Sequence, residues 1–402
     1  MVLSKAKCCL LLRYCQIADK MDLGAKKTNV LIIGGTGTLS YAVLMRILDV
    51  MKAEVWIFNR GNNNSAIPSE VHILTGNFYD LASLEEATKR ISFDVVMDFL
   101  SRTPQDIARI YPLFMNACIQ YVFISTACVF RRDAESLPVT ENSPKPNPQW
   151  SYSIEKDESE KMLEKLAAKG KAYYTIVRPY ITYDDNRIPL GIAPEYKYHR
   201  TIIERIKNGK PLFTWNGGED ITTLTYVTDF AKAVTGLLLN LCAVNEDFNV
   251  VSNFTYKWKD VIALLYARFG QQPNVVNIPL YEIYKQMPDM KGMMEGDRTL
   301  DAIFDNTKIK NAVPGLDFKV TLEEGLDNVI RHYDKTATRI YDYVFDARVD
   351  RLIARVHKKS GIRYVKYKGA KASSIFTYII YRYLPHAIAS RLYNCIRRLH
   401  LP

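Results

Sequence analysis

Residues 29–40 read Asn29-Val30-Leu31-Ile32-Ile33-Gly34-Gly35-Thr36-Gly37-Thr38-Leu39-Ser40, and this stretch decides the fold. Asn29 to Ile33 is a short, largely apolar run of the kind a buried strand needs. The glycines at 34, 35 and 37 then form a tight turn. Beyond them Val43, Leu44, Ile47 and Leu48 fall on one face of a helix. Strand, glycine turn and helix in that order build a cradle for a pyrophosphate. Gly34 allows the turn, Gly37 lets the backbone approach the phosphates, and the helix N-terminus faces the anion. Gly35, Thr36, Thr38 and Leu39 complete the expected contacts. Ser40 stands where a third glycine is usual, and it is small without being ideal for close helix–strand packing.

A second strand, Val55 to Phe58, runs into Asn59-Arg60-Gly61. An acid at this point would hold the ribose hydroxyls of NAD, whereas an arginine suits a 2′-phosphate, so Arg60 beside Asn59 favours NADP over NAD. Val71 to Leu74 is a third strand, followed by Gly76-Asn77, with Asn77 an adenine contact. Asp94 to Phe99, Tyr121 to Ile124 and Tyr174 to Val177 are further strands, and Pro104 to Cys118 is helical. Apolar strands alternating with helices predict an α/β fold with a doubly wound parallel sheet.

The segment Trp150-Ser151-Tyr152-Ser153-Ile154-Glu155-Lys156 opens another helix, with Tyr152 and Lys156 four residues apart on one face. An ammonium ~4 Å from a phenol, at an effective dielectric near 20, is worth roughly 4 kcal/mol. At ~1.36 kcal/mol per unit that draws a tyrosine pKa from ~10 to about 7. Such a phenol can move a proton at neutral pH, as interconverting an alcohol and a ketone requires. The spacing alone carries little, because it recurs at Tyr281/Lys285, Tyr364/Lys368 and Tyr367/Lys371. The place of Tyr152 in the chain singles it out. The fifth strand runs into Ser125-Thr126-Ala127-Cys128-Val129-Phe130, and Tyr152 follows a proline-rich loop. A strand ending at Arg178-Pro179, then Tyr226-Val227-Thr228-Asp229 and Phe248-Asn249-Val250, complete the series.

In that order of motifs, over roughly 27–333, the chain resembles the extended short-chain dehydrogenase/reductase family, in particular its NAD(P)-dependent epimerase/dehydratase branch acting on nucleotide sugars. The resemblance implies a Rossmann domain (28–183 and 225–252) and a smaller C-terminal substrate domain (184–224 and 253–333). It implies a catalytic triad of Thr126, Tyr152 and Lys156. Thr126 would bond the substrate oxygen, Tyr152 would move the proton, and Lys156 would lower the tyrosine pKa and hold the nicotinamide ribose. Relatives that remove water across the sugar C5–C6 bond resemble each other in an Asp-Glu pair after the threonine; here Ala127 and Cys128 stand there, which argues against a 4,6-dehydratase. Cys128 resembles the acid/base cysteine of GDP-fucose synthase, with His199 as its partner, against the simpler reading of a small buried cysteine and a surface histidine. Arg298 stands where relatives offer an arginine to the nucleotide pyrophosphate, a solvated surface arginine being the alternative. Ile181-Thr182, Tyr183-Asp184 and Phe130 depart from the family pattern and mark a divergent member.

The expected function is therefore an NAD(P)-dependent nucleotide-sugar epimerase working through a 4-keto intermediate. An NADPH-dependent keto-sugar reductase is the alternative, and a non-catalytic dinucleotide-sensing or RNA-binding protein on the same fold is a further one. A homodimer through the helices at 104–118 and 150–168 is the family expectation. The scattered histidines and cysteines show no metal or disulfide spacing, and a reducing cytoplasm is the simplest setting.

Charge divides the chain. From Asp334 onward there are 15 Lys/Arg and 4 Asp/Glu, so the tail carries the whole net charge of +11. This basic amphipathic extension (334–402) suits an anionic membrane surface at the inner face of the membrane, packing on the body, or, less well, nucleic acid. Residues 1–27 read as a disordered leader, or as an overlong start with Met21 the true initiator.

Overall fold

The computed structural model describes residues 27–192, 199–335, 341–357, 364–365 and 372–398. The leader and much of the stretch between 357 and 372 lie outside them. The chain forms two compact units. The first takes in the chain up to Thr182, Thr225–Asn253 and Ile303–Lys319. The second takes in Tyr183–Leu224, Phe254–Ala302 and the chain from Val320.

The first unit is a seven-stranded sheet. Its strands are β1 (Thr28–Ile33), β2 (Ala53–Asn59), β3 (His72–Thr75), β4 (Val95–Asp98), β5 (Gln120–Ile124), β6 (Tyr173–Pro179) and β7 (Glu246–Val250). They lie in the order β7-β6-β5-β4-β1-β2-β3, every pairing parallel. The strand composition explains this. Along β1, Val30 and Ile32 face one apolar cluster while Leu31 and Ile33 face another. A strand apolar on both faces must be covered on both, which is the condition of a parallel α/β sheet.

Helices α1 (Thr38–Val50) and α5 (Val227–Gly236) cover the first face, through Val43, Leu44 and Ile47, and Phe230 and Val234. Helices α2 (Leu81–Thr88), α3 (Pro104–Phe114) and α4 (Ser151–Ala167) cover the second, through Leu84, Ile107, Ile110, Phe114 and Leu163. Helix α6 (Thr307–Ala312) returns Ile309 to the first face. The third helix is shorter than the sequence pattern implies. It ends at Phe114, and residues 115–118 turn back on it, the amides of Ala117 and Cys118 donating to the Phe114 carbonyl. The order reverses at β1, whose neighbours are β2 and β4, so the crevice at the carboxyl ends of β1 and β4 is the place for a ligand.

The second unit pairs Leu212–Thr214 with Val275–Asn277 in parallel and Ile221–Thr223 with Thr255–Lys257 antiparallel. Helices His199–Lys207, Trp258–Arg268 and Leu322–Lys335 belong to it. So do α7 (Tyr343–Val356), α8 (Ala372–Tyr383) and α9 (His386–Arg398). The first tail helix is packed in rather than laid out as a surface element. Its two acids, Asp346 and Asp350, are fully buried against Arg205 and Lys210. Arg348 pairs with Asp289, and Arg351 donates to Gln286. Periodicity showed the helix, but not that its acids would face two cations about 140 residues earlier.

Candidate active site

The turn between β1 and α1 is held by Ser40. Gly34 sits at φ +96°, a conformation that favours glycine, and its amide donates to the Phe58 carbonyl at 2.9 Å. The Ser40 hydroxyl donates to the Gly34 carbonyl at 2.6 Å and accepts from the Gly37 amide at 3.0 Å. The serine thus ties both ends of the turn, a job its place in the motif does not reveal. Gly35 and Thr36 complete the turn, and Thr38 and Leu39 open α1. A side-chain carbon on Gly37 would meet only the Ser40 oxygen, at 3.4 Å, so the space above the turn is open. No acidic residue occupies the first turn of α1. An open glycine turn at an uncontested helix N-terminus fits a dinucleotide pyrophosphate.

Asn59 closes β2 and spends its side chain on the loop. Its amide donates to Asn64 at 2.8 Å and its carbonyl oxygen accepts from the Gly61 amide at 2.7 Å. Arg60 beside it is exposed. The Asn77 side chain, also exposed, accepts from the Tyr79 amide at 3.1 Å.

Lys156 is buried and precisely tethered by chemistry far away in sequence. Its ammonium donates to the Ser101 carbonyl at 2.7 Å and to the Ile124 carbonyl at 2.8 Å. Ile124 ends β5 two residues before Thr126, and α4 packs against the turn Ala127–Val129. The fold thereby brings the Tyr152/Lys156 helix to the strand end that carries Thr126, which is itself buried and accepts from the Cys128 amide at 3.2 Å. The Ser101 carbonyl is placed in turn by Asp98, at the end of β4. One carboxylate oxygen of Asp98 accepts from the Leu100 and Ser101 amides, both at 2.9 Å, and the other from the Tyr121 hydroxyl at 2.6 Å. Burial, reinforced by Arg102 and opposed by Asp98 and Glu160, depresses the Lys156 ammonium to about 8. Tyr152 is half-buried, 4.9 Å from the Trp150 ring. The Arg102 guanidinium lies 5.3 Å from the Tyr152 ring centre and is paired with Glu155 at 3.0 Å.

Sequence reasoning missed the charge cluster behind this strand end. Glu160 is fully buried on α4 and accepts from Arg178 through two bonds of 2.8 Å, from Ser125 at 2.5 Å, and from Lys145. Arg178 also pairs with Asp247 at 2.6 Å. Burial alone would raise the Glu160 carboxyl, but Arg178 and Lys145 outweigh it and hold the group below its ordinary value. Because Ser125 precedes Thr126, this cluster fixes the backbone on which the threonine sits. A charged residue on an otherwise buried helix face was the available signal.

Cys128 is buried in the first unit, and its carbonyl accepts from Asn147 at 3.3 Å. His199 belongs to the second unit and is buried there, not on the surface; its Nδ1 accepts from the Ile188 amide at 2.8 Å. Arg298 is likewise buried in the second unit, paired with Asp297 and 5.9 Å from the Trp258 ring centre. It is not the solvated arginine that was the alternative reading.

The profile of the NAD dependent epimerase/dehydratase family matches residues 30–250, more than half of the chain. The chain belongs to that family. Membership brings with it the family's fold. Among curated proteins it is similar to the chloroplast stem-loop binding protein of 41 kDa b of Arabidopsis thaliana, 27% identical over 271 residues, 63% of this chain and 66% of the relative. The chain thus spans just under two thirds of that protein's length. Among solved structures it is similar to the UDP-glucose 4-epimerase of Thermus thermophilus in complex with NAD, with TM-score 0.62, 17% identity, and 77% of this chain and 100% of that one covered. The UDP-glucuronic acid 4-epimerase of Bacillus cereus gives TM-score 0.61 and 16% identity over 77% and 99% of the two chains. At such identities these likenesses concern the fold.

Proposed function

We propose that this family member is an NAD(P)-dependent epimerase of a nucleotide-activated sugar, working through a 4-keto intermediate with Tyr152 as the proton carrier. The observation that supports it best is Lys156, tethered to the carbonyls of Ser101 and Ile124 beside the strand end bearing Thr126. Both structural relatives named above are 4-epimerases of nucleotide sugars. When bound, the nicotinamide supplies a hydride acceptor and donor. Tyr152 takes the hydroxyl proton as the sugar carbon is oxidised and returns it when the carbon is reduced from the other face. Thr126 donates to the oxygen as it becomes a carbonyl, and the Lys156 charge favours the phenolate while its remaining N–H holds the ribose. Cys128 as a further acid/base group, Arg298 as a pyrophosphate contact and Arg60 as a selector for NADP are finer parts of the same reading.

Tyr152→Phe tests it. Purified protein is denatured and its released cofactor identified, then nucleotide sugars are screened for epimerisation. The variant is expected to retain cofactor and lose turnover by ~10³-fold or more. Undiminished turnover would remove Tyr152 from the chemistry. A second reading, RNA binding on this fold, is favoured by the stem-loop binding relative. It predicts tight binding of a stem-loop RNA that Tyr152→Phe leaves unchanged, with no turnover in either protein.

A further inference from the structure

The last two helices present a surface that the proposed chemistry does not use. Helix α8 turns Tyr378, Ile380 and Tyr381 inward, and the Tyr378 hydroxyl donates to Asp350 of α7 at 2.6 Å. Helix α9 adds Ala389 to the same cluster. The opposite faces are apolar too. Phe376, Ile379 and Tyr383 of α8 are 49%, 48% and 70% exposed, and Ile388 and Leu392 of α9 are 54% and 39% exposed. Spacings of three and four place each set on one helix face, so these are two stripes rather than scattered residues.

The chemistry around the stripes is one-sided. From Arg351 to Pro402 the sequence holds 12 Lys/Arg and no Asp/Glu. Arg382 lies 5.6 Å from the Tyr383 ring centre, and Arg391 is exposed next to Leu392. The Arg351 guanidinium is depressed by burial and further by Arg355 and Arg382, a sign that the local positive field is not neutralised. Apolar side chains facing outward cost free energy unless something covers them, and here that something must also supply negative charge. A second copy of the chain would bring the same positive charge to the contact. Nucleic acid would supply phosphates, and Phe376 and Tyr383 could stack on bases, but the other three of the five exposed side chains, Ile379, Ile388 and Leu392, are aliphatic and offer it neither a stacking ring nor a donor, whereas a lipid boundary takes all five.

We propose that α8 and α9 seat the protein on an anionic lipid surface, with Phe376, Ile379, Ile388 and Leu392 entering the boundary between headgroups and acyl chains and Arg382 and Arg391 meeting lipid phosphates. No helix among the described residues is long and apolar enough to cross a membrane, so the contact is one of lying on the surface.

The test is co-sedimentation of the full chain with vesicles of phosphatidylcholine alone or mixed with phosphatidylserine. Binding is expected only with phosphatidylserine and should weaken as salt rises. Ile379→Ser with Ile388→Ser, and separately Arg382→Glu with Arg391→Glu, should each lower partition at least about tenfold, with urea unfolding unchanged for the isoleucine pair and for Arg391→Glu, whose side chains are exposed. If the apolar pair perturbs folding, Arg391→Glu alone carries the same expectation. Equal binding to neutral vesicles, no binding to either, or a stem-loop RNA or self-association that depends on these residues while vesicles do not bind would each overturn the proposal.

Discussion

Replacing Lys156 with methionine removes a charge that the fold holds at a cost, and that cost has a pH signature. Burial brings the ammonium from its ordinary 10.5 down to about 8, despite the carboxylates of Asp98 and Glu160. Between those two values the lysine is protonated in the unfolded chain and neutral in the folded one. The unfolded state then binds more protons, so stability rises with pH through that window. At ~1.36 kcal/mol per pH unit, the natural protein gains roughly 2 kcal/mol between about pH 8 and 9.5 from this residue, and about 3 kcal/mol by pH 10.5. Lys156→Met has no such term. It leaves the carbonyls of Ser101 and Ile124 without their donor, an offset of about 1–3 kcal/mol that does not vary with pH. Buried phenols away from Lys156 titrate in both proteins and cancel in the difference, and a Tyr152 phenolate favoured by Lys156, as proposed above, adds to the rise rather than opposing it. The assay is urea unfolding followed by tryptophan fluorescence at a series of pH values. The expected result is a stability difference, natural protein minus variant, that climbs above about pH 8. A difference that stays flat would refute the reasoning, because it would mean that the ammonium keeps its water in the folded state.

Two further substitutions test the buried charge clusters. Glu160→Ala takes the bidentate partner from a fully buried Arg178 and should cost about 3–5 kcal/mol, measured by urea unfolding, whereas a loss under about 1 kcal/mol would mean that Asp247 and water suffice. Asp350→Ala strips Arg205, Lys210 and Tyr378 of a shared acceptor and should destabilise the second unit by a similar ~3–5 kcal/mol, measured by urea unfolding, whereas a loss under about 1 kcal/mol would mean that Asp346 alone holds the two cations.

The sheet was legible because its signals are local. A strand buried on both faces needs an apolar run, a helix on that sheet needs a stripe, and the turn between them needs glycine. Val30 to Ile33, Gly34 and Val43 to Ile47 carry all three within 20 residues. Tyr152 and Lys156 were legible for the same reason, four residues on one helix. What was hidden depends on partners distant in the chain. Ser40 reads as an imperfect glycine substitute until its hydroxyl is seen between Gly34 and Gly37. Ser101 looks like an ordinary loop residue, yet its carbonyl holds the Lys156 ammonium 55 residues away. The tail's excess of cations suits a surface and its helical apolar spacing suits packing, and only the tertiary structure shows that Asp346 and Asp350 bury α7 against Arg205 and Lys210.

The sequence by itself therefore determined the parallel α/β architecture, the dinucleotide turn and the candidate Tyr152/Lys156 pair, since periodicity and spacing act over one or two turns of chain. Only the tertiary structure decided how Lys156 is tethered, what neutralises Arg178, and which of the tail helices is buried and which faces outward. Those outcomes are set by desolvation and by the pairing of charges across more than 100 residues of sequence, as between Arg205 and Asp346, and no local pattern records them.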